Sequence, residues 1–138
     1  MGKQLAQMHR SLSPNGLYGF EQDNYIGSSP QSNQWTDSWC DFYLNHRLLP
    51  QIRLFESNGH CVEKEALLQK ARERLSSHHP SPSLLHGFPP PFRLMSSDLW
   101  SGNTGFIHPG VPVLFDPAAY YGDRETDIIM TQVITTCR

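Results

Sequence analysis

The sequence predicts an α+β domain that is mainly helical and carries one small β-hairpin. Three stretches have the apolar spacing or the composition of helices, at 3–12, 37–49 and 63–75. A fourth stretch, 104–115, places two short apolar runs on either side of His108-Pro109-Gly110, which is the pattern of a hairpin. The 11 prolines among 138 residues favour a loop-rich fold over a compact, regular one.

The first two predicted helices rest on apolar stripes. The apolar side chains of the first helix are spaced three and four residues apart, at Leu5, Met8 and Leu12. Thr36 or Asp37 can cap the second helix, whose stripe is largely aromatic and includes Trp39 and Phe42. These aromatic side chains favour a role in the core over ligand binding. Pro50 kinks or ends this helix.

The remaining elements are read from composition. Residues 63–75 are good helix formers, whereas the prolines within 76–83 exclude a longer helix. Residues 84–87 predict a short strand, and 88–97, with three consecutive prolines, predict neither helix nor central strand. A last helix is expected to open at 128–134.

Charge and cysteine content exclude several classes of protein. The formal net charge of -2 gives no basic surface for nucleic acid. The three cysteines, Cys40, Cys61 and Cys137, form no close pair, which argues against a disulfide framework or zinc site. No apolar run reaches the roughly 18 residues of a membrane span. We expect a cytoplasmic protein without membrane or nucleic-acid partners; an organellar location stays open, because a signal could precede residue 1.

The chemistry is concentrated in three polar residues around the predicted hairpin. Asp98 and Asn103 stand five positions apart on one loop, and Asp116 follows the second strand. Phosphoryl transfer needs a carboxylate for the attacking hydroxyl, and an amide and a second carboxylate for Mg²⁺, and in kinases these residues follow one another in this order along the chain. The spacing alone is common, and the intervening hairpin makes it more specific.

The sequence around these residues resembles that of the fructosamine (ketosamine) kinase family. His86-Gly87 and Asp98-Leu-Trp-Ser-Gly-Asn103 look like two halves of the family motif His-Gly-Asp-Leu-Trp-Ser-Gly-Asn. Asp116-Pro117-Ala118 is similar to the family's Asp-Pro-Ala, and Tyr121 to Asp127 to the segment after it. The resemblance implies a partial protein-kinase-like C-terminal lobe. It also implies transfer of the ATP γ-phosphate to the 3-hydroxyl of ketosamines, either small molecules or glycated protein lysines.

The same resemblance implies roles for individual residues. Asp98 is the catalytic base, and Asn103 and Asp116 bind Mg²⁺ and, through it, ATP. Trp100 helps to form the sugar pocket. Two further residues support the site structurally: His86 and Asp127.

The chain departs from the family pattern in ways that limit this expectation. Residues 88–97 separate the two halves of the motif as an apparent insertion. No Gly-rich loop precedes the motif, and Lys3, Lys64 and Lys70 lie in no strand of the nucleotide-binding type. Residues 1–138 are therefore expected to be a single partial kinase-like domain without the N-terminal lobe or closing helices. The alternative is a non-catalytic, pseudokinase-like fragment or regulatory isoform. The preferred sugar, fructosyl or ribulosyl, and the oligomeric state stay open.

Overall fold

The computed structural model describes residues 2–78, 93–107 and 110–133. The predicted strand at 84–87 and His86 lie outside these ranges. The helices are α1 (Gly2–Met8), α2 (Trp39–Tyr43), α3 (Leu49–Ser57), α4 (Lys64–His78) and α5 (Glu125–Val133). The strands are β1 (Asn24–Ile26), β2 (Ser29–Gln31), β3 (Arg93–Met95), β4 (Thr104–Ile107), β5 (Val111–Leu114) and β6 (Tyr120–Gly122).

The central helices form one continuous helical run. Ser38 caps α2 by accepting a hydrogen bond from the backbone N–H of Asp41, so the cap lies one residue beyond the two expected. A π-helical turn, Leu44–Leu48, connects α2 to α3. Pro50 is the second residue of α3 and directly follows the π-helical turn, so the helical run continues past this proline.

The strands form three separate antiparallel pairs. The predicted hairpin is present as β4 and β5, with Thr104 opposite Leu114. Strand β3 pairs with β6, and β1 pairs with β2. Neither of these two pairs follows from the sequence. Within 88–97, which was expected to form neither helix nor central strand, residues 93–95 form the short strand β3, whose sheet has only the two strands β3 and β6.

The core is an aromatic cluster between the central helices and β6. Five buried side chains form it: Tyr18, Trp39, Phe42, Met95 and Tyr120. Phe42 and Tyr120 are fully buried, with ring centroids 5.3 Å apart. Trp39 stacks against both rings. The interpretation of Trp39 and Phe42 as core residues is thus confirmed.

One cation is packed into this aromatic core. The Arg47 guanidinium lies over the Tyr120 ring at 4.0 Å and the Phe42 ring at 4.5 Å. It donates hydrogen bonds to the carbonyl oxygen of Ser32 and to Oδ1 of Asn33. Burial lowers the pKa of Arg47. Arg47 therefore ties the loop before α2 to the core that supports β6.

Helix α5 corresponds to the last helix predicted from the sequence. It begins at Glu125, three residues before the expected start, because Asp123 accepts a hydrogen bond from the Glu125 backbone N–H. Across 2–78, 93–107 and 110–133, no helix is long and apolar enough to cross a membrane.

Candidate active site

Asp98 and Asn103 are joined directly by their side chains. The Asn103 amide nitrogen donates to Oδ2 of Asp98 at 2.6 Å and to the Asp98 carbonyl oxygen at 3.1 Å. Between them, the Trp100 backbone N–H donates to the Asp98 carbonyl, and the Asn103 N–H donates to the Trp100 carbonyl. These bonds close the five-residue spacing into one tight loop, with the carboxylate and the amide on the same side.

Asp116 is brought to this loop by the hairpin. Strand β4 begins directly after Asn103, and the backbone N–H of Phe115 donates to the Asn103 carbonyl oxygen at 3.1 Å. Asp116 is the next residue, and it is exposed, with φ of 52°. A non-glycine residue in this left-handed region is uncommon and is enriched at functional sites. The structure thus gathers Asp98, Asn103 and Asp116 at the open end of the hairpin.

The donor atoms at this end suit a hard divalent cation. Because the Asn103 amide nitrogen is bound to Asp98, its Oδ1 is the atom available to a metal ion. Amide and carboxylate oxygens are ligands of Mg²⁺, which often takes only one or two protein ligands beside nucleotide phosphates. Within the described ranges, no three His, Cys, Asp or Glu side chains cluster as a complete metal site. Asn103 and Asp116 therefore fit a Mg²⁺ ion that is shared with phosphates.

Asp127 lies beneath the loop and is fully buried. Its carboxylate accepts hydrogen bonds from the backbone N–H groups of Ser96, at 3.0 Å, and Ser97, at 2.7 Å. His9 supplies a third bond from Nε2 at 2.9 Å.

The contribution of His9 was not foreseen from the sequence. His9 stands 118 residues from Asp127 in the chain, and only the fold brings the two together. His9 directly follows α1 and is buried, with 7% exposure, and this burial is a property of the fold that the sequence does not show. His86, the other supporting residue expected, lies outside the described residues.

Trp100 is partly exposed and lies against Gly102. A Cβ atom built on Gly102 would overlap the Trp100 indole ring, whereas the same atom on Gly105 would meet Phe115 at an ordinary 3.4 Å. The φ of Gly102 is not in the left-handed region. Gly102 is therefore needed to make space for the indole.

Gly102→Ala is expected to displace the Trp100 ring and to destabilise the protein by about 1 kcal/mol through overpacking. Because the indole moves into solvent, its fluorescence emission should shift to longer wavelength. Gly105→Ala is the matched control and should leave the spectrum unchanged. The shift must also disappear in a Trp100→Phe background; a shift that persists there would assign it to Trp35 or Trp39.

Comparison with known proteins places this arrangement in a family. A sequence model described as fructosamine kinase matches residues 1–137. The chain belongs to the fructosamine kinase family. A probable ketoamine kinase of Synechocystis is 40% identical over 134 residues, which are 96% of this chain and 42% of the relative. The chloroplastic protein-ribulosamine 3-kinase of Oryza sativa subsp. indica is 38% identical, over 95% of this chain and 36% of the relative.

Solved structures of the family share the fold. The crystal structure of a putative fructosamine-3-kinase from Haemophilus somnus superposes with a TM-score of 0.75 at 28% identity, covering 90% of this chain and 38% of that one. One from Thermobifida fusca gives 0.73 at 31% identity, covering 96% and 43%. The kinase-like fold expected from the sequence is confirmed. The chain spans about two-fifths of the length of these fructosamine kinase relatives.

Proposed function

We propose that this chain is the part of a ketosamine-3-kinase that carries the catalytic loop and the metal ligands. The reaction transfers the γ-phosphate of ATP to the 3-hydroxyl of a fructosyl or ribulosyl amine, free or on a glycated protein lysine. The observation that carries the proposal is the joined Asp98–Asn103 pair, with Asp116 delivered beside it by the β4–β5 hairpin. The relatives named as ketoamine and ribulosamine kinases support the substrate class.

Each residue then has a definite task. Oδ2 of Asp98 is bound to Asn103, so Oδ1 is the oxygen that accepts the proton of the substrate hydroxyl. Asn103 Oδ1 and the Asp116 carboxylate hold Mg²⁺, which neutralises charge on the ATP phosphates. The half-exposed Trp100 ring borders the loop and offers an apolar face to the sugar. Asp127 and His9 hold the backbone that carries Asp98.

Turnover that depends on Asp98 is the direct test of this proposal. The purified chain is incubated with Mg·ATP and a ribulosyl- or fructosyl-lysine peptide, and the 3-phosphate is measured. Asp98→Asn should lower the rate by roughly 10²–10⁴-fold, because it removes a general base while keeping the shape of the side chain. The control is Asp37→Asn, at an exposed acid before α2, which should keep the full rate. Equal rates for the two variants would contradict the assigned role of Asp98.

A second candidate function is a non-catalytic, pseudokinase-like module. It is favoured by the position of the lysines: all three lie on α1 and α4, which supply none of Asp98, Asn103 and Asp116. A nucleotide would then lack a lysine contact from this chain. Absence of both turnover and a nucleotide-induced rise in melting temperature would support this second function and overturn the first.

A further inference from the structure

The link between β3 and Asp98 consists of two serines with different backbone conformations. Ser97 has φ of 60°, in the left-handed region. Among the described non-glycine residues, only Ser97 and Asp116 have a positive φ. Ser96 has no such conformation, although both serines are buried, with 3% and 5% exposure. The two residues therefore form a natural comparison, alike in chemistry and burial and different in backbone.

Fixed contacts on both sides force this conformation. Before the serines, β3 is paired with β6 and the Leu94 N–H donates to the Ser11 carbonyl oxygen. The N–H groups of Ser96 and Ser97 point at the two oxygens of the buried Asp127 carboxylate. After them, Asp98 is held by Asn103.

The chain must therefore change direction at Ser97 itself. A left-handed conformation is unfavourable for every residue with a Cβ atom, and it persists only where the surroundings enforce it. Here the Asp127 bonds enforce it from one side and the Asp98–Asn103 pair from the other.

We propose that Ser97 is a positioning residue whose left-handed backbone turns the chain out of β3 and aims Asp98 at Asn103. The position is one that glycine would fill with less strain. The proposal rests on the proposed role of Asp98 in phosphoryl transfer. The proposal also assigns a role to the second half of the 88–97 segment. Arg93–Met95 forms β3, and Ser96 and Ser97 connect this strand to the loop that begins at Asp98.

The backbone claim is tested by glycine and alanine variants at both serines, with melting temperature as the readout. Each pair lacks the hydroxyl, so the difference within a pair reports the backbone. Ser97→Gly should melt roughly 4 °C above Ser97→Ala, because glycine adopts positive φ without strain. Ser96→Gly should melt below Ser96→Ala, because glycine has more conformational entropy to lose. The same order at both positions would overturn the proposal.

The aim of Asp98 is tested by the NMR signals of the Asn103 side-chain amide, identified by their loss in Asn103→Asp. The Asp98→Ala variant provides the reference chemical shifts of these signals when the bond to Asp98 is missing. Ser97→Thr should move the signals towards that reference, because β-branched residues disfavour positive φ. Ser96→Thr, the matched control, should leave them in place.

Unmoved signals in Ser97→Thr, or equal movement in both threonine variants, would contradict a positioning role. Should a threonine variant fail to fold, the glycine and alanine order still decides the backbone claim. Neither readout uses ATP or a ketosamine. A failure here is therefore distinguishable from a failure of the proposed phosphotransferase activity.

Discussion

Asp127→Asn is expected to lower the free energy of unfolding by roughly 3 kcal/mol, a large part of the stability of a domain of this size. The wild-type carboxylate accepts three hydrogen bonds in a fully buried place, from Ser96, Ser97 and His9. An asparagine presents only one accepting oxygen, so its NH₂ group must face one of these donors. That donor is left buried and without a partner, which is costly.

Urea-induced unfolding measures this loss, and Asp116→Asn is the control. Asp116 is exposed, so the same change of charge to amide should alter stability by less than about 0.5 kcal/mol. His9→Ala should also destabilise the chain, because it removes one of the three donors. If Asp127→Asn were as stable as Asp116→Asn, the buried carboxylate would not be what holds the loop that carries Asp98.

Phe42→Ala is expected to cost about 3–5 kcal/mol, the usual range for deleting a fully buried aromatic side chain. Phe42 has 0% exposure and contacts the Trp39 and Tyr120 rings. It also provides one of the two ring faces on which Arg47 lies. Its removal leaves a cavity and exposes one side of a buried cation, and both effects act in the same direction.

The matched control is Phe106→Ala, which deletes the same side chain at a position that is 70% exposed on β4. This variant should lie within about 0.5 kcal/mol of the wild type in urea unfolding. Similar losses for the two phenylalanines would show that the aromatic cluster around Tyr120 is not the stabilising core.

The sequence was a good guide where local rules act. Helix α4 follows from helix-forming composition, and the β4–β5 hairpin follows from two apolar runs around a Pro-Gly turn. Asp98, Asn103 and Asp116 were recognisable because five-residue spacing and a hairpin are local features. In the structure, Asp98 is bonded to Asn103, and the hairpin leads back to Asp116.

The pairing of strands that are distant in the chain could not be predicted from the sequence. Strand β3 is only three residues long and follows three prolines, and its partner β6 begins 25 residues after β3 ends. Neither segment has enough residues to show the alternation that marks a strand. The bond between His9 and Asp127 depends on other long-range contacts. The Leu94 N–H donates to the Ser11 carbonyl oxygen, and the Arg93 side chain donates to the His9 carbonyl oxygen, which holds the end of α1 at β3.

By itself, the sequence determined the family through the resemblance of its motifs. It also indicated the helical character of the domain and the three polar residues of the candidate site, through composition and short spacing. Only the tertiary structure decided how Asp98 is held. That depends on a buried carboxylate from α5, a histidine that directly follows α1 and a left-handed serine, which are far apart in the chain. Their geometry is set by β-pairing and burial, and neither is visible until the chain is folded.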